Sequence, residues 1–158
     1  AVIYEDDMKS AVYTHRNMAD MCKIIAERQG DVEPEVYVMG AHPLHTIQGI
    51  GAVLNGSIIR GLTVEIFSPF DAHKVIALLE RERQTMLYAL PDMIVRLVEA
   101  ASERPPRRTS LKYCLVGNGS LPRDVSRSFK ELFGVAIDES RSVQEHFPLR
   151  QFAATTVS

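Results

Sequence analysis

Apolar residues along this chain alternate between short runs and stretches with a helical period, which is typical of an α/β fold. Thr14 can serve as the N-cap of a helix over residues 14–29. The apolar residues of this segment repeat at the spacing of one helical face, and they are Met18, Met21, Cys22 and Ile25. The same reasoning places Asp71 as the cap of a second helix, over residues 71–83. The residues predicted to face inward are Val75, Leu78 and Leu79 in this helix, and Ile94, Leu97, Val98 and Ala101 in a helix from residue 91.

The remaining segments follow the same alternation of strand and helix. Strands are predicted over residues 2–4, 36–39, 62–67, 86–90, 111–116 and 135–138, and further helices over residues 43–60, from 91 and from 122. Repeated strand–helix–strand units require crossover helices over a mainly parallel sheet. We therefore predict an α/β fold with helices on both faces of the sheet, in one domain over residues 1–148 with an irregular tail over residues 149–158.

Three segments need a separate explanation. The predicted helix over residues 43–60 is rich in glycine. Because glycine weakens a helix, these residues need a packing reason, and we expect it to be close approach to the sheet. Residues 5–7 are all acidic and predict a surface turn. Residues 104–108 carry three arginines and two prolines, a pattern more typical of a solvated loop than of an anion site.

Composition and charge restrict the function. Hydrophobic residues make up 46% of the 158 residues and the formal net charge is −2, which is typical of a soluble globular domain and argues against a nucleic-acid or membrane-surface partner. No stretch is apolar and long enough for a membrane span, and the acidic start is unlike a signal peptide. Two cysteines are too few for a disulfide framework or a zinc cage, so we expect a cytoplasmic protein with reduced thiols.

Four short motifs occur in a fixed order along the chain. They are THRN at residues 14–17, PLH at 43–45, FD at 70–71 with ERER at 80–83 and LP at 90–91, and GNGSLP at 117–122 with FGV at 133–135. In this order they resemble the large N-terminal domain of the acyl-adenylate-forming enzymes, the acyl-CoA synthetase and AMP-dependent synthetase and ligase superfamily. The resemblance covers nearly the whole chain.

The resemblance implies a reaction in which a carboxylate attacks the α-phosphate of ATP and pyrophosphate leaves. In the family a loop of Ser, Thr, Gly and Lys directly before THRN holds the phosphates. Here residues 5–13 occupy that interval without a glycine, and they include three carboxylates; Lys9 is the one remnant of the family's lysine. Carboxylates repel a polyphosphate, and a loop without glycine cannot easily turn its amides toward one.

The family's Tyr-Gly-x-Thr-Glu element would fall at residues 141–145. Glu145 matches the family's glutamate and is the candidate ligand for magnesium in a Mg-ATP complex, although a solvated glutamate is the alternative. Arg141 stands at the tyrosine position beside the adenine, and Gln144 at the threonine position near the phosphate. Both ATP motifs therefore depart from the family pattern.

The remaining candidates line the nucleotide and acyl pocket in the family. The turn at Gly117, Asn118, Gly119 and Ser120 would line it with its backbone, at the carboxyl ends of the strands where open α/β sheets bind ligands, or it is an ordinary strand-to-helix turn. His45 would border the acyl pocket, with backbone bonding at a helix start as the alternative. The resemblance also implies a ribose-binding aspartate and a C-terminal domain with a catalytic lysine, and this sequence contains neither.

These observations favour a degenerate ligase-like domain that is not a complete enzyme and acts as a binding or scaffold protein. We expect it to self-associate or to bind a complementing chain. One alternative is a carboxylic-acid ligase that is active with Mg-ATP when a second chain supplies the missing parts. Another is a protein that binds an acyl or aryl carboxylic acid without ATP.

Overall fold

Parallel strands form the centre of the molecule. The structure is a computed structural model that describes residues 2–6, 9–29, 37–41, 44, 46, 49–81, 85–117 and 119–139. Its strands are β1 Val2–Asp6, β2 Lys9–Tyr13, β3 Tyr37–Gly40, β4 Thr63–Ile66, β5 Thr85–Ala89, β6 Leu111–Val116 and β7 Ile137–Glu139. Five of them form one sheet in the order β4-β3-β5-β6-β7, with every pairing parallel. The predicted α/β fold with a mainly parallel sheet is confirmed.

Helices connect these strands and cover the sheet. They are α1 His15–Gln29, a π-helical segment Gly49–Asn55, α2 Gly56–Ile59, α3 Ala72–Arg81, α4 Pro91–Glu103 and α5 Arg123–Phe133. Helix α3 crosses over β3 to connect β4 with β5, whereas α4 and α5 each connect neighbouring strands. The three helices pack side by side on one face of the sheet and build the larger core. The π-helical segment packs on the other face, where Val53 contacts residues of β3 and β5.

The predicted helix caps are present. Thr14 Oγ1 accepts a hydrogen bond from the Asn17 backbone N–H at 3.1 Å, and the Thr14 N–H donates to Asn17 Oδ1 at 2.9 Å. Asp71 Oδ1 accepts from the N–H groups of His73 and Lys74 at 3.0 and 3.2 Å. Each cap satisfies backbone donors that the first helical turn leaves without a partner.

The apolar faces predicted for the helices point into the core. On α3, Val75, Leu78 and Leu79 are buried, and on α4 the buried residues include Ile94 and Leu97. The phenyl rings of α5 complete this core: Phe129 and Phe133 are fully buried, with their centroids 4.7 Å apart. The periodicity of the sequence therefore identified the sides of α3 and α4 that face the core.

The glycine-rich helix predicted over residues 43–60 is shorter than expected. The structure has a π-helical segment from Gly49 that continues into α2 and ends at Ile59, and of the residues from 43 to 48 it describes 44 and 46 alone. A Cβ atom on Gly51 would lie 1.7 Å from Cε of Met21, so this glycine permits close contact with α1 and not with the sheet. On the sheet side the close approach belongs to Gly40 of β3, where a Cβ atom would lie 2.3 Å from Cγ1 of Val53.

Two further predictions concern the domain boundary and a membrane span. The boundary at residue 148 and the tail over residues 149–158 lie outside the described residues. Within the described part, no helix is long and apolar enough to cross a membrane.

Candidate functional site

The turn after β6 lies at the carboxyl edge of the parallel sheet, where open α/β sheets bind ligands. Gly117 is buried, and its N–H donates to the carbonyl of Ala89 at the end of β5, at 3.2 Å. Ser120 is exposed, and Leu121 anchors the end of the turn in the core. Three of the predicted pocket residues, Gly117, Gly119 and Ser120, are therefore at the carboxyl edge of the sheet.

Gly119 has a conformation and a neighbour that favour glycine. Its φ is 158°, and a Cβ atom at this position would lie 2.9 Å from Cγ of Pro91, the first residue of α4. The turn therefore rests directly on the start of the preceding helix. Pro91 was not among the residues predicted for the site, although the LP motif at residues 90–91 was a signal for it.

The other predicted site residues cannot be placed with these. His45, Asn118 and Glu145 lie outside the described residues, as do Arg141 and Gln144. The candidate magnesium ligand and the candidate acyl-pocket histidine therefore remain sequence predictions. Among the described residues, no group of three or more His, Cys, Asp and Glu side chains could hold a metal ion.

A carboxylate that the sequence analysis did not select lies next to the turn. Glu139 pairs in register with Val116, the residue before Gly117, so it stands at the same edge of the sheet. Its Oε1 accepts a hydrogen bond from the hydroxyl of Ser126 at 3.1 Å. Glu139 was missed because the last strand was predicted to end at residue 138, and one extra residue of pairing carries this side chain to the edge.

The interval where the resemblance places the phosphate loop forms a tight hairpin. Strands β1 and β2 pair antiparallel, and the register continues to the pair Asp6 and Lys9. The acidic turn expected at residues 5–7 is therefore wrong for Glu5 and Asp6, which are part of β1. A connection of two residues is enough to join two antiparallel strands. In this sequence only Asp7 and Met8 lie between β1 and β2.

This register conflicts with the requirements of a phosphate cradle. Such a cradle directs several backbone N–H groups at one anion, and those groups must be free of other partners. In a hairpin, many of the same groups bond to the opposite strand. The described residues of this interval therefore do not fit the polyphosphate of Mg-ATP.

A polar groove of about 430 Å³ lies where β4 is followed by α3. Arg96 of α4 and Phe70 both line this groove and contact each other. The Arg96 guanidinium lies 5.3 Å from the centroid of the Phe70 ring, and its Nη2 donates to the Phe70 carbonyl at 3.3 Å. These contacts attach the FD motif at residues 70–71 to α4. They give Arg96 a structural role, since its guanidinium is engaged with Phe70.

The two cysteines do not offer a reactive thiol. Cys114 is completely buried in the main core, and this burial strongly raises the pKa of its thiol, with the nearby Asp138 carboxylate acting in the same direction. Burial also raises the pKa of Cys22. Because the thiolate is the nucleophile and the metal ligand, neither residue is poised for covalent or metal chemistry at neutral pH.

Comparison with known proteins agrees with this geometry. The family model described as AMP-binding enzyme matches residues 7–143. The chain belongs to the AMP-binding enzyme family. The long-chain-fatty-acid–CoA ligase of Bacillus subtilis is 25% identical over 142 residues, and the match covers 89% of this chain and 25% of the ligase. The 2-succinylbenzoate–CoA ligase of Bacillus pumilus is 35% identical over 91 residues, covering 58% of this chain and 18% of that enzyme.

Solved structures show the same relationship in three dimensions. O-succinylbenzoate Coenzyme A synthetase from Bacillus subtilis in complex with AMP matches with a TM-score of 0.70 and 26% identity, covering 86% of this chain and 28% of that one. The same synthetase in complex with ATP and magnesium ion matches with a TM-score of 0.68 and 27% identity, over 82% of this chain and 26% of that one. The resemblance to the AMP-binding family is confirmed, and the chain spans about a quarter of the length of these relatives.

Proposed function

We propose that this chain is an AMP-binding domain without a working polyphosphate site and that it acts as a binding or scaffold protein. The observation that carries the proposal is the hairpin register, in which pairing continues to Asp6 and Lys9. Two intervening residues cannot form the long glycine-containing loop that the resemblance implies. The carboxylates of Glu5, Asp6 and Asp7 in the same interval would also oppose the charge of ATP.

A titration of the chain with Mg-ATP tests this proposal directly. We expect no binding at micromolar strength by calorimetry, because a site of that affinity needs roughly −8 kcal/mol and the phosphates have no cradle. The Gly119→Ala variant is the matched control, since it alters the turn at the carboxyl edge and leaves the hairpin unchanged. Micromolar, magnesium-dependent binding by the wild type that is lost in Gly119→Ala would contradict the proposal and indicate a functional nucleotide site.

The turn at the carboxyl edge favours a second candidate function. Gly117 and Gly119 retain the close packing against β5 and α4 that a ligand-lining turn requires. The chain would then be part of a carboxylic-acid ligase whose phosphate-binding groups come from a complementing polypeptide. Pyrophosphate exchange by the chain mixed with candidate partners, and by neither component alone, is the result that this alternative requires.

A scaffold role implies a partner, and exposed apolar residues support one. Ile58 and Ile59 of α2 are 64% and 62% exposed, and Ile66 lies on β4, which is one of the two edge strands of the sheet in the described part of the chain. Edge strands and exposed apolar side chains favour association. We expect light scattering over a concentration series to show reversible self-association of the wild type. The double variant Ile58→Lys with Ile59→Lys should associate more weakly. A wild type that is monomeric at every concentration would contradict this expectation.

A further inference from the structure

Four exposed arginines lie where helices α3 and α4 end, at the edge of the sheet opposite the 117–121 turn. Arg81 is in the last turn of α3, and Arg104 is the C-cap residue of α4. Arg107 and Arg108 follow in the loop that leads into β6. We call these four residues the arginine surface.

One glutamate holds this loop in place. The carboxylate of Glu80 accepts a hydrogen bond from the backbone N–H of Arg107 at 2.8 Å, and the Glu80 carbonyl accepts one from Nε of Arg108 at 2.6 Å. Two residues later, the Ser110 N–H donates to the carbonyl of Leu79 at 2.9 Å. The loop that the sequence indicated as solvated is therefore attached to the last turn of α3, which reduces the entropy that binding would cost.

The charge of the arginine surface is not cancelled by this anchor. The hydrogen bond that the Glu80 carboxylate accepts from Arg107 comes from the backbone N–H, so this bond does not engage the Arg107 guanidinium. The side chains of Arg104 and Arg107 are exposed. Glu80 and Glu103 are the sequence neighbours of Arg81 and Arg104, so the four arginines are in excess over two glutamates here. Since the whole chain has 18 Lys and Arg against 20 Asp and Glu, the rest of the protein is net acidic.

We propose that the arginine surface binds an acidic segment of a partner polypeptide through its carboxylate side chains. Guanidinium groups bind carboxylates with paired, directional hydrogen bonds, which suits several arginines spread along one edge. A long nucleic acid or an anionic bilayer would also meet the acidic remainder of the protein, whereas a short peptide contacts the arginine surface alone. The arginine surface and the 117–121 turn lie at opposite edges of the sheet, so binding at the arginine surface does not require a ligand at the turn.

Fluorescence anisotropy with a labelled oligoglutamate peptide tests the proposal. We expect the wild type to bind the peptide, and we expect Arg104→Glu with Arg107→Glu to weaken binding by about tenfold or more, since each substitution reverses a contacting charge. The matched control is Arg123→Glu with Arg127→Glu, which makes the same change in net charge at exposed positions of α5. Thermal unfolding of both variants checks that they are folded, because neither pair lies in the core.

Three results would overturn the proposal. The first is no measurable binding of the peptide by the wild type at low salt. The second is an equal loss of affinity in the two double variants, which would mean that net charge and not this surface is responsible. The third is tighter binding of double-stranded DNA or of anionic vesicles than of the peptide, which would assign the surface to another class of partner.

Discussion

Replacing Phe133 by alanine is expected to destabilise the domain by about 3–5 kcal/mol, which is the usual range for removing a fully buried phenyl ring. The ring is completely buried, and it packs against Phe129 with the two planes inclined by 33°. Small domains have a total stability of about 5–15 kcal/mol. The substitution should therefore remove a large part of the free energy of unfolding, as measured by urea denaturation followed by circular dichroism.

Lys130 of the same helix provides the control. It is exposed, so Lys130→Ala should change the free energy of unfolding by less than about 0.5 kcal/mol. If Phe133→Ala also changed the free energy of unfolding by less than about 1 kcal/mol, that result would contradict the burial of Phe133 between α5 and the sheet. Because α5 follows the turn at residues 117–121, that result would also remove the basis for the position of the candidate site.

Replacing Gly119 by alanine is the second change with a large expected effect. The new Cβ would lie 2.9 Å from Cγ of Pro91, at a φ of 158° that side chains rarely adopt. Because the proline ring cannot rotate away, the turn itself must move. We expect a loss of about 1–3 kcal/mol in the free energy of unfolding, the usual cost of a strained backbone position, together with a displaced turn visible as shifted amide resonances of residues 117–121.

Gly134 is the matched control for this substitution. It also has a positive φ, of 74°, but a Cβ atom there would have no heavy atom within 4 Å. Gly134→Ala should therefore lower the free energy of unfolding by about 1 kcal/mol, the cost of a left-handed backbone conformation for alanine. It should leave the amide resonances of the turn at residues 117–121 unchanged. Equal effects of the two substitutions would show that contact with Pro91 does not constrain the turn.

Local patterns made most of the secondary structure predictable. The caps at Thr14 and Asp71 and the apolar face of α3 depend on residues within a few positions of each other, so the sequence displays them directly. Strand β6 was predicted with its observed bounds because its apolar run ends at the glycine turn. The predicted position of Gly117 at the carboxyl edge followed from the alternation of strands and helices, which requires a parallel sheet.

Properties that depend on distant residues were not predictable in this way. Residues 5–13 were predicted to form a loop because the resemblance implies one there, and only the pairing of Asp6 with Lys9 revealed a hairpin. The glycine at position 51 was assigned to sheet packing, whereas its neighbour is Met21 of α1. The basic loop indicated a solvated segment, but Glu80, which is 27 residues before Arg107, anchors it.

The sequence by itself determined the family and the α/β fold of this protein, together with the two departures from the family's ATP motifs. These are properties of residue type and local order, which motifs and periodicity record. The tertiary structure alone decided the hairpin register, the contact between Gly119 and Pro91, and the attachment of the 104–108 loop to Glu80. Each of these depends on which distant segments meet when the core forms, and that is settled by packing and hydrogen bonding between segments far apart in the chain.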